Sequence, residues 1–293
     1  MRDRVRLTVP ALVLATALCL PSLSPAQEEE TEEAKRNWSD AADFSWVLTA
    51  GNSETSTLGF TNLYNWKAGK SAVEVKAGAI RAETTFKDSF TVGDLDNFQV
   101  TTIETTDTTT EIYYLNGKYG REISKRTYWF VGAGWDRNIP AGIKNRYMGE
   151  AGLSNIWRSD DHLTFRTDYS LTYTDQEDVV ENPTVDQSFP GLRLGYTYKH
   201  QFGKNTTYDS ILILDYNFDE SSDYRANFTN SVAVAMNKTL ALKVSLQWLY
   251  DHEPSYSEIN LFDPGDLTTP IGTVLYQLEE LDTIFTTSLV VNF

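Results

Sequence analysis

Apolar and polar side chains alternate one by one along most of this sequence, and residues 163–173 show the rule in its plainest form. Leu163, Phe165, Tyr169, Leu171 and Tyr173 point one way, while Thr164, Arg166, Asp168, Ser170 and Thr172 point the other. A side-chain period of two is the geometry of an extended strand with one apolar and one polar face. Residues 240–250 repeat it, with Leu240, Leu242, Val244, Leu246, Trp248 and Tyr250 alternating against Ala241, Lys243, Ser245 and Gln247. Applied along the chain, the pattern predicts strands over residues 41–51, 55–67, 71–83, 109–121, 127–136, 146–157, 163–174, 190–201, 207–218, 225–236, 239–250 and 281–293. Each is close to the roughly 9 to 11 residues of a tilted membrane-crossing strand and longer than the usual strand of a soluble domain. Aromatics gather near the strand ends, where Trp and Tyr of a membrane barrel keep a polar tip at the interface.

The connections alternate in length as well. Short ones, rich in turn formers, fall at Ala68-Gly69-Lys70, residues 122–126, residues 158–162, Gly203-Lys204-Asn205 and Asn237-Lys238. The opposite end carries residues 84–108, 175–187 and 251–273, and only residues 51–54 are tight there. Short periplasmic turns facing long outer loops are the habit of bacterial membrane barrels. The expected architecture is therefore all-β, an antiparallel transmembrane up-and-down β-barrel of about twelve strands over residues 41–293. A soluble β-sandwich or lipocalin-like barrel would turn its apolar face inward. The polar face here includes Glu74, Lys76, Lys118, Glu150, Arg166, Asp168, Arg193, Asp215 and Lys243, too many charges to bury in a soluble core. That face is assigned to a lumen.

Composition adds an address. Arg2, Arg4 and Arg6 precede an apolar stretch over residues 7–20 that is too short to span a membrane, and Ser24-Pro25-Ala26 supplies small residues for cleavage. Residues 1–26 read as a signal peptide, which implies export and residence in the outer membrane of a Gram-negative bacterium. The only cysteine, Cys19, lies within that segment, so the mature chain is expected to hold no disulfide. Loss of three Arg and one Asp with the signal changes the formal charge from −16 to −18, which speaks against nucleic acid as a partner. Residues 27–40, with Glu28, Glu29, Glu30, Glu32 and Glu33, read as an acidic periplasmic leader.

Chemistry is sparser. The nine lumen charges, four acids against five bases, argue against steep selectivity for one sign. A barrel of this size lies between plugged and open ones, and a narrow or blocked lumen is expected. Outer-loop acids, among them Asp88, Asp94, Asp96, Glu104 and Asp107, then Asp175, Glu177, Asp178, Glu181 and Asp186, then Glu253, Glu258, Asp263 and Asp266, should draw cations to the outer mouth. They offer oxygen ligands to divalent cations, although no run completes an EF-hand loop. Asp251 beside His252 is the one carboxylate–imidazole neighbour near the outer rim that could serve hydrolysis. No nucleophile elbow, zinc motif or phosphate loop accompanies it, so neither an enzyme nor a cofactor is expected.

The first hairpin, with Gly51, Asn52 and Ser53 at its tip between amphipathic strands, the export signal and the terminal Phe293 together resemble the salt-induced outer-membrane proteins, also called YdiY-like proteins. That resemblance implies a β-barrel without an assigned activity and a link to salt or osmotic conditions. Phe293 resembles the signal read by the outer-membrane assembly machinery, and lipid and lipopolysaccharide are the implied surroundings. The function expected is a passive channel for ions or small polar solutes. A closed structural or surface-interaction barrel is the alternative, and an outer-membrane hydrolase a remote one.

Overall fold

The computed structural model describes residues 37–49, 53–93, 98–181 and 187–292. Among these residues the regular structure is all β, and no helix is long and apolar enough to cross a membrane. β1 (Trp38–Thr49), β2 (Ser53–Ala68), β3 (Ser71–Gly93) and β4 (Phe98–Ser124) open the chain. β5 (Thr127–Asn138), β6 (Ile143–Ser159), β7 (Leu163–Asp178) and β8 (Ser188–Phe202) follow. Next come β9 (Thr206–Asn217), β10 (Tyr224–Ala235) and β11 (Leu240–Asp251). β12 (Tyr256–Asp263) and β13 (Asp266–Gln277) pair only with each other, and β14 (Leu281–Asn292) completes the wall. Sequential neighbours pair from β1 to β11, β14 pairs with β11 and β1, and the result is a closed antiparallel barrel of twelve strands.

The alternation in the sequence becomes the two sides of that wall. Phe44, Leu58, Leu115, Val131, Leu153, Leu171, Leu214, Val244 and Phe285 stand on the outside, and Trp46 and Phe285 are 70% and 68% exposed. Water would penalise such a continuous apolar surface, whereas hydrocarbon accepts it. Small residues line much of the inside. Gly78 lies beneath the Tyr114 ring, which occupies the space a Cβ would need.

Sequence and structure part at three places. Trp38, Ser39 and Asp40, expected in the leader, already belong to β1. Residues 84–108, expected as a loop, are strand for most of their length. β3 and β4 stay paired out to Gly93 opposite Phe98, well past the ends of their other neighbours at Ser53↔Phe86 and Ile112↔Asn138. Beyond those ends no further strand pairs with the ribbon, so it encloses no lumen and its sequence has no reason to alternate. Thr101, Thr102, Thr105, Thr106 and Thr108 favour an extended backbone instead, and Thr85 and Thr106 share a hydroxyl hydrogen bond of 2.8 Å. The third difference is the β12–β13 hairpin inside residues 251–273. The signal segment, residues 27–36 of the leader, the tip residues Gly51 and Asn52, and Phe293 lie outside the described residues, while Ser53 opens β2.

The short turns show how local chemistry ends a strand. Asp160 accepts from Arg158 Nε at 2.6 Å and from the amides of His162 and Leu163 at 3.0 and 2.9 Å. The Arg158 guanidinium, followed by those two amides, holds the Asp160 carboxyl down at about 2. A carboxyl depressed in the folded state stabilises the fold above its ordinary pKa, and that contribution fades as pH falls toward the folded value. NMR titration of Asp160 should give a midpoint of about 2 in the wild type, moving up toward the ordinary carboxylate value in Arg158→Ala. For the wall, Leu171→Arg places a guanidinium in lipid and should cost about 2–4 kcal/mol in urea unfolding from vesicles, against well under that for its lumen-facing neighbour Thr172→Ala.

Candidate functional site: the barrel lumen

Strand register fixes which charges share the interior. It carries Glu74 and Lys76 on β3, Lys118 on β4, Glu150 on β6, Arg166 and Asp168 on β7, Arg193 on β8, Asp215 on β9 and Lys243 on β11 to the face opposite the exposed apolar side chains. These groups separate into two levels.

The level near the short turns is loosely paired. Lys118 Nζ stands 3.4 Å from Glu150, 3.7 Å from Asp168 and 4.1 Å from the centre of the Phe130 ring. Arg166 reaches Asp168 at 3.4 Å. Lys243 donates to Asp43 on β1 at 2.6 Å, spanning β14. Lys76 forms no ion pair among the described residues and stands 5.6 Å from the centre of the Tyr114 ring, and both Lys76 and the inward-facing Lys199 on β8 are exposed. Exposure of inward-facing lysines means that open space borders them inside the barrel at this level. A cavity of ≈ 530 Å³ lies there, lined in part by Lys67, Glu74, Lys118, Arg166 and Asp168.

The level near the outer mouth is tightly paired. Arg193 grips Asp215 through two bonds of 2.6 and 2.8 Å, a bidentate fork. Arg146 on β6 bonds Asp136 on β5 at 3.0 Å. Arg225 on β10 faces Asp223 at 3.2 Å and Asp251 at 3.1 Å, and donates to Gln176 on β7 at 3.0 Å. β8 and β9 lie between those two strands, so the Arg225–Gln176 bond reaches past them inside the barrel. On the β6–β10 side of this level a void of ≈ 20 Å³ lies among Arg146, Arg193, Asp215, Asp223 and Arg225, room for about one water.

A strap lies over this level. Leaving β11, the chain puts the Ser255 hydroxyl on Asp178 at the end of β7, 3.1 Å away, with β8, β9 and β10 between the two strands. Beneath it Gly142 holds φ of +75°, and a Cβ there would stand 2.6 Å from Ser255 Cβ and 3.0 Å from Leu278 Cδ1. Pro254, Ser255 and Ile143 are buried at the contact.

Sequence reading passed over Asp43, Asp136, Arg146, Lys199, Asp223 and Arg225. The signal was present for Asp43 and Lys199, which occupy polar positions of alternating strands. Arg146, Asp223 and Arg225 sit at strand ends or turns, where facing depends on the register of a neighbour. Asp251 and His252, considered together as a carboxylate–imidazole pair, are not brought together. Asp251 turns inward to Arg225, while His252 stacks on Tyr224 at 4.7 Å and its Nδ1 lies 3.0 Å from the Tyr250 hydroxyl. Among the described residues no three His, Cys, Asp or Glu side chains converge as metal ligands, and Asp94, Asp96 and Asp186 lie outside those residues.

The family described as "Protein of unknown function, DUF481" matches residues 42–293. The chain belongs to that family. No curated protein matches the chain. Among solved structures, the NanC porin is 10% identical with a TM-score of 0.41, over 87% of this chain and 97% of that one. The anion-selective porin from Comamonas acidovorans is 9% identical with a TM-score of 0.37, over 87% and 98%. The KdgM porin in complex with disordered oligogalacturonate is 8% identical with a TM-score of 0.36, over 87% and 96%. With identities of 10% or less and TM-scores below 0.5, these are distant resemblances only.

Pairing in the outer level sets its energetics. Arg193→Met alone strands the Asp215 carboxylate and should lower unfolding stability more than the double change Arg193→Met with Asp215→Leu, measured side by side in the same vesicles.

Proposed function

We propose that this DUF481 barrel is a passive outer-membrane channel for ions and small polar solutes, shut at its outer mouth in the conformation described. The observation that carries this reading is the contrast along the lumen: ≈ 530 Å³ of cavity and exposed inward-facing lysines at the inner level, against arginine–aspartate pairs on the β6–β10 side of the outer level with only ≈ 20 Å³ between them. A barrel that served only as a structural wall has no use for the inner space. Passage then requires the strap to lift from Asp178 and Gly142, which would uncover Arg225, Asp223 and Asp251. With both signs of charge present at each level, discrimination rests more on size than on charge, while acidic outer connections concentrate cations at the mouth.

The tight outer level favours the second reading, a closed structural barrel, and conductance separates the two. In planar bilayers wild-type protein should open rarely, and Asp178→Ala or Ser255→Ala should raise the open fraction severalfold. Asp178→Cys with Ser255→Cys, oxidised to a cross-link, should silence the currents until reduced. Silence in every variant would leave the structural barrel standing. The resemblance to salt-induced proteins supports a role at changing external salt, which abundance of the protein across a salt series checks. No catalytic role is proposed: the Asp251 carboxylate is engaged by Arg225 and the His252 ring by tyrosines.

A further inference from the structure

The inner cavity has a chemistry of its own. It is walled by β1 to β7 alone, so it occupies one side of the lumen. Its volume of ≈ 530 Å³ falls within the range of small-molecule sites. Tyr128 and Ile156 give it an apolar wall. Two groups of opposite sign are left with unmet capacity. Glu74 on β3 lies directly across the strand pair from Lys118, yet Lys118 turns away to Glu150, Asp168 and the Phe130 ring. The Glu74 carboxylate thereby keeps no cation within ion-pair distance among the described residues. On β7, Arg166 holds Asp168 by a single 3.4 Å contact, and neither Arg166 Nε nor Asp168 Oδ1 has a hydrogen-bond partner. Polar atoms left so in a part-buried setting cost the fold energy that a ligand can return. Three strands separate Glu74 from Arg166, so acceptor and donor stand on different parts of the cavity wall.

We infer that this cavity is a binding site for a small zwitterion of the amino-acid class, its ammonium on Glu74, its carboxylate on Arg166 and its apolar side chain against Tyr128 and Ile156. A simple anion meets Glu74 and Asp168, and a simple cation meets Lys118 and Arg166, so each singly charged ligand leaves one side unsatisfied. A zwitterion satisfies both. The inference rests on the lumen being open to water at this level, and it names the class of solute that the channel holds on its way through.

Calorimetry on folded protein in detergent tests it with three probes: L-phenylalanine, its amide, which keeps only the positive charge, and its N-acetyl derivative, which keeps only the negative one. The zwitterion should bind about tenfold more tightly than either, the equivalent of one charge-assisted hydrogen bond. Glu74→Gln should weaken phenylalanine about tenfold and leave the N-acetyl form unchanged, and Arg166→Gln should do the same with respect to the amide. Ile156→Trp fills the cavity from an uncharged position and should abolish binding of all three, which keeps the test decisive if a charge variant does not fold. Equal affinity for the three probes, or no binding by any, overturns the inference. Binding is read without current, so loss of the channel reading in bilayers and loss of this site are separate results.

Discussion

A chain that crosses hydrocarbon must leave no backbone amide or carbonyl unpaired, and this chain meets that condition only by closing its sheet on itself. The closing seam is the short pairing of β1 with β14, from Ala41 opposite Asn292 to Phe44 opposite Leu289, whereas β1 pairs with β2 along its whole length. The seam has help from within, since Lys243 on β11 reaches past β14 to Asp43 on β1. Once the ring is closed, each strand has one side in lipid and one in the lumen, and the period-two sequence has a single physical meaning.

Closure also decides where charge can go. Polar side chains must face inward, and inward-facing charges need either a partner or water. The outer level uses partners: the Arg193–Asp215 fork, the Arg146–Asp136 pair and the Arg225 network crowd the β6–β10 side until about one water fits among them. The inner level leaves open space for water instead, with Lys76 and Lys199 exposed and Glu74 outside ion-pair distance of any cation among the described residues. Pairing and hydration are thus two solutions to one electrostatic problem, stacked in a single tube.

Much of this was legible because lipid imposes a strict pattern. Residues 163–174 and 239–250 declare their strands through alternation alone, and the nine charges from Glu74 to Lys243 sit on polar positions within such runs. Legibility failed where lipid stops acting. The ribbon of β3 and β4 beyond the rim has no strand beside it and no regular alternation, so Thr101 to Thr108 read as loop. Arg146 and Arg225 lie at strand ends, where a shift of one residue reverses the facing. The strap was hidden for another reason: Ser255 meets Asp178 across a sequence separation of 77 residues, which no local pattern reports.

The central claim is that water fills the inner lumen while the outer mouth is shut, and thiol labelling tests it directly. Cys19 is the only cysteine and lies in the expected signal segment, so single cysteines can be placed without background. In sealed outer-membrane vesicles, a charged, membrane-impermeant thiol reagent should label Lys76→Cys and Lys199→Cys rapidly when supplied from the periplasmic side and slowly from the outside, and should leave Leu171→Cys unlabelled from either. Labelling of Leu171→Cys together with protection of both lumen positions would contradict the account at its base.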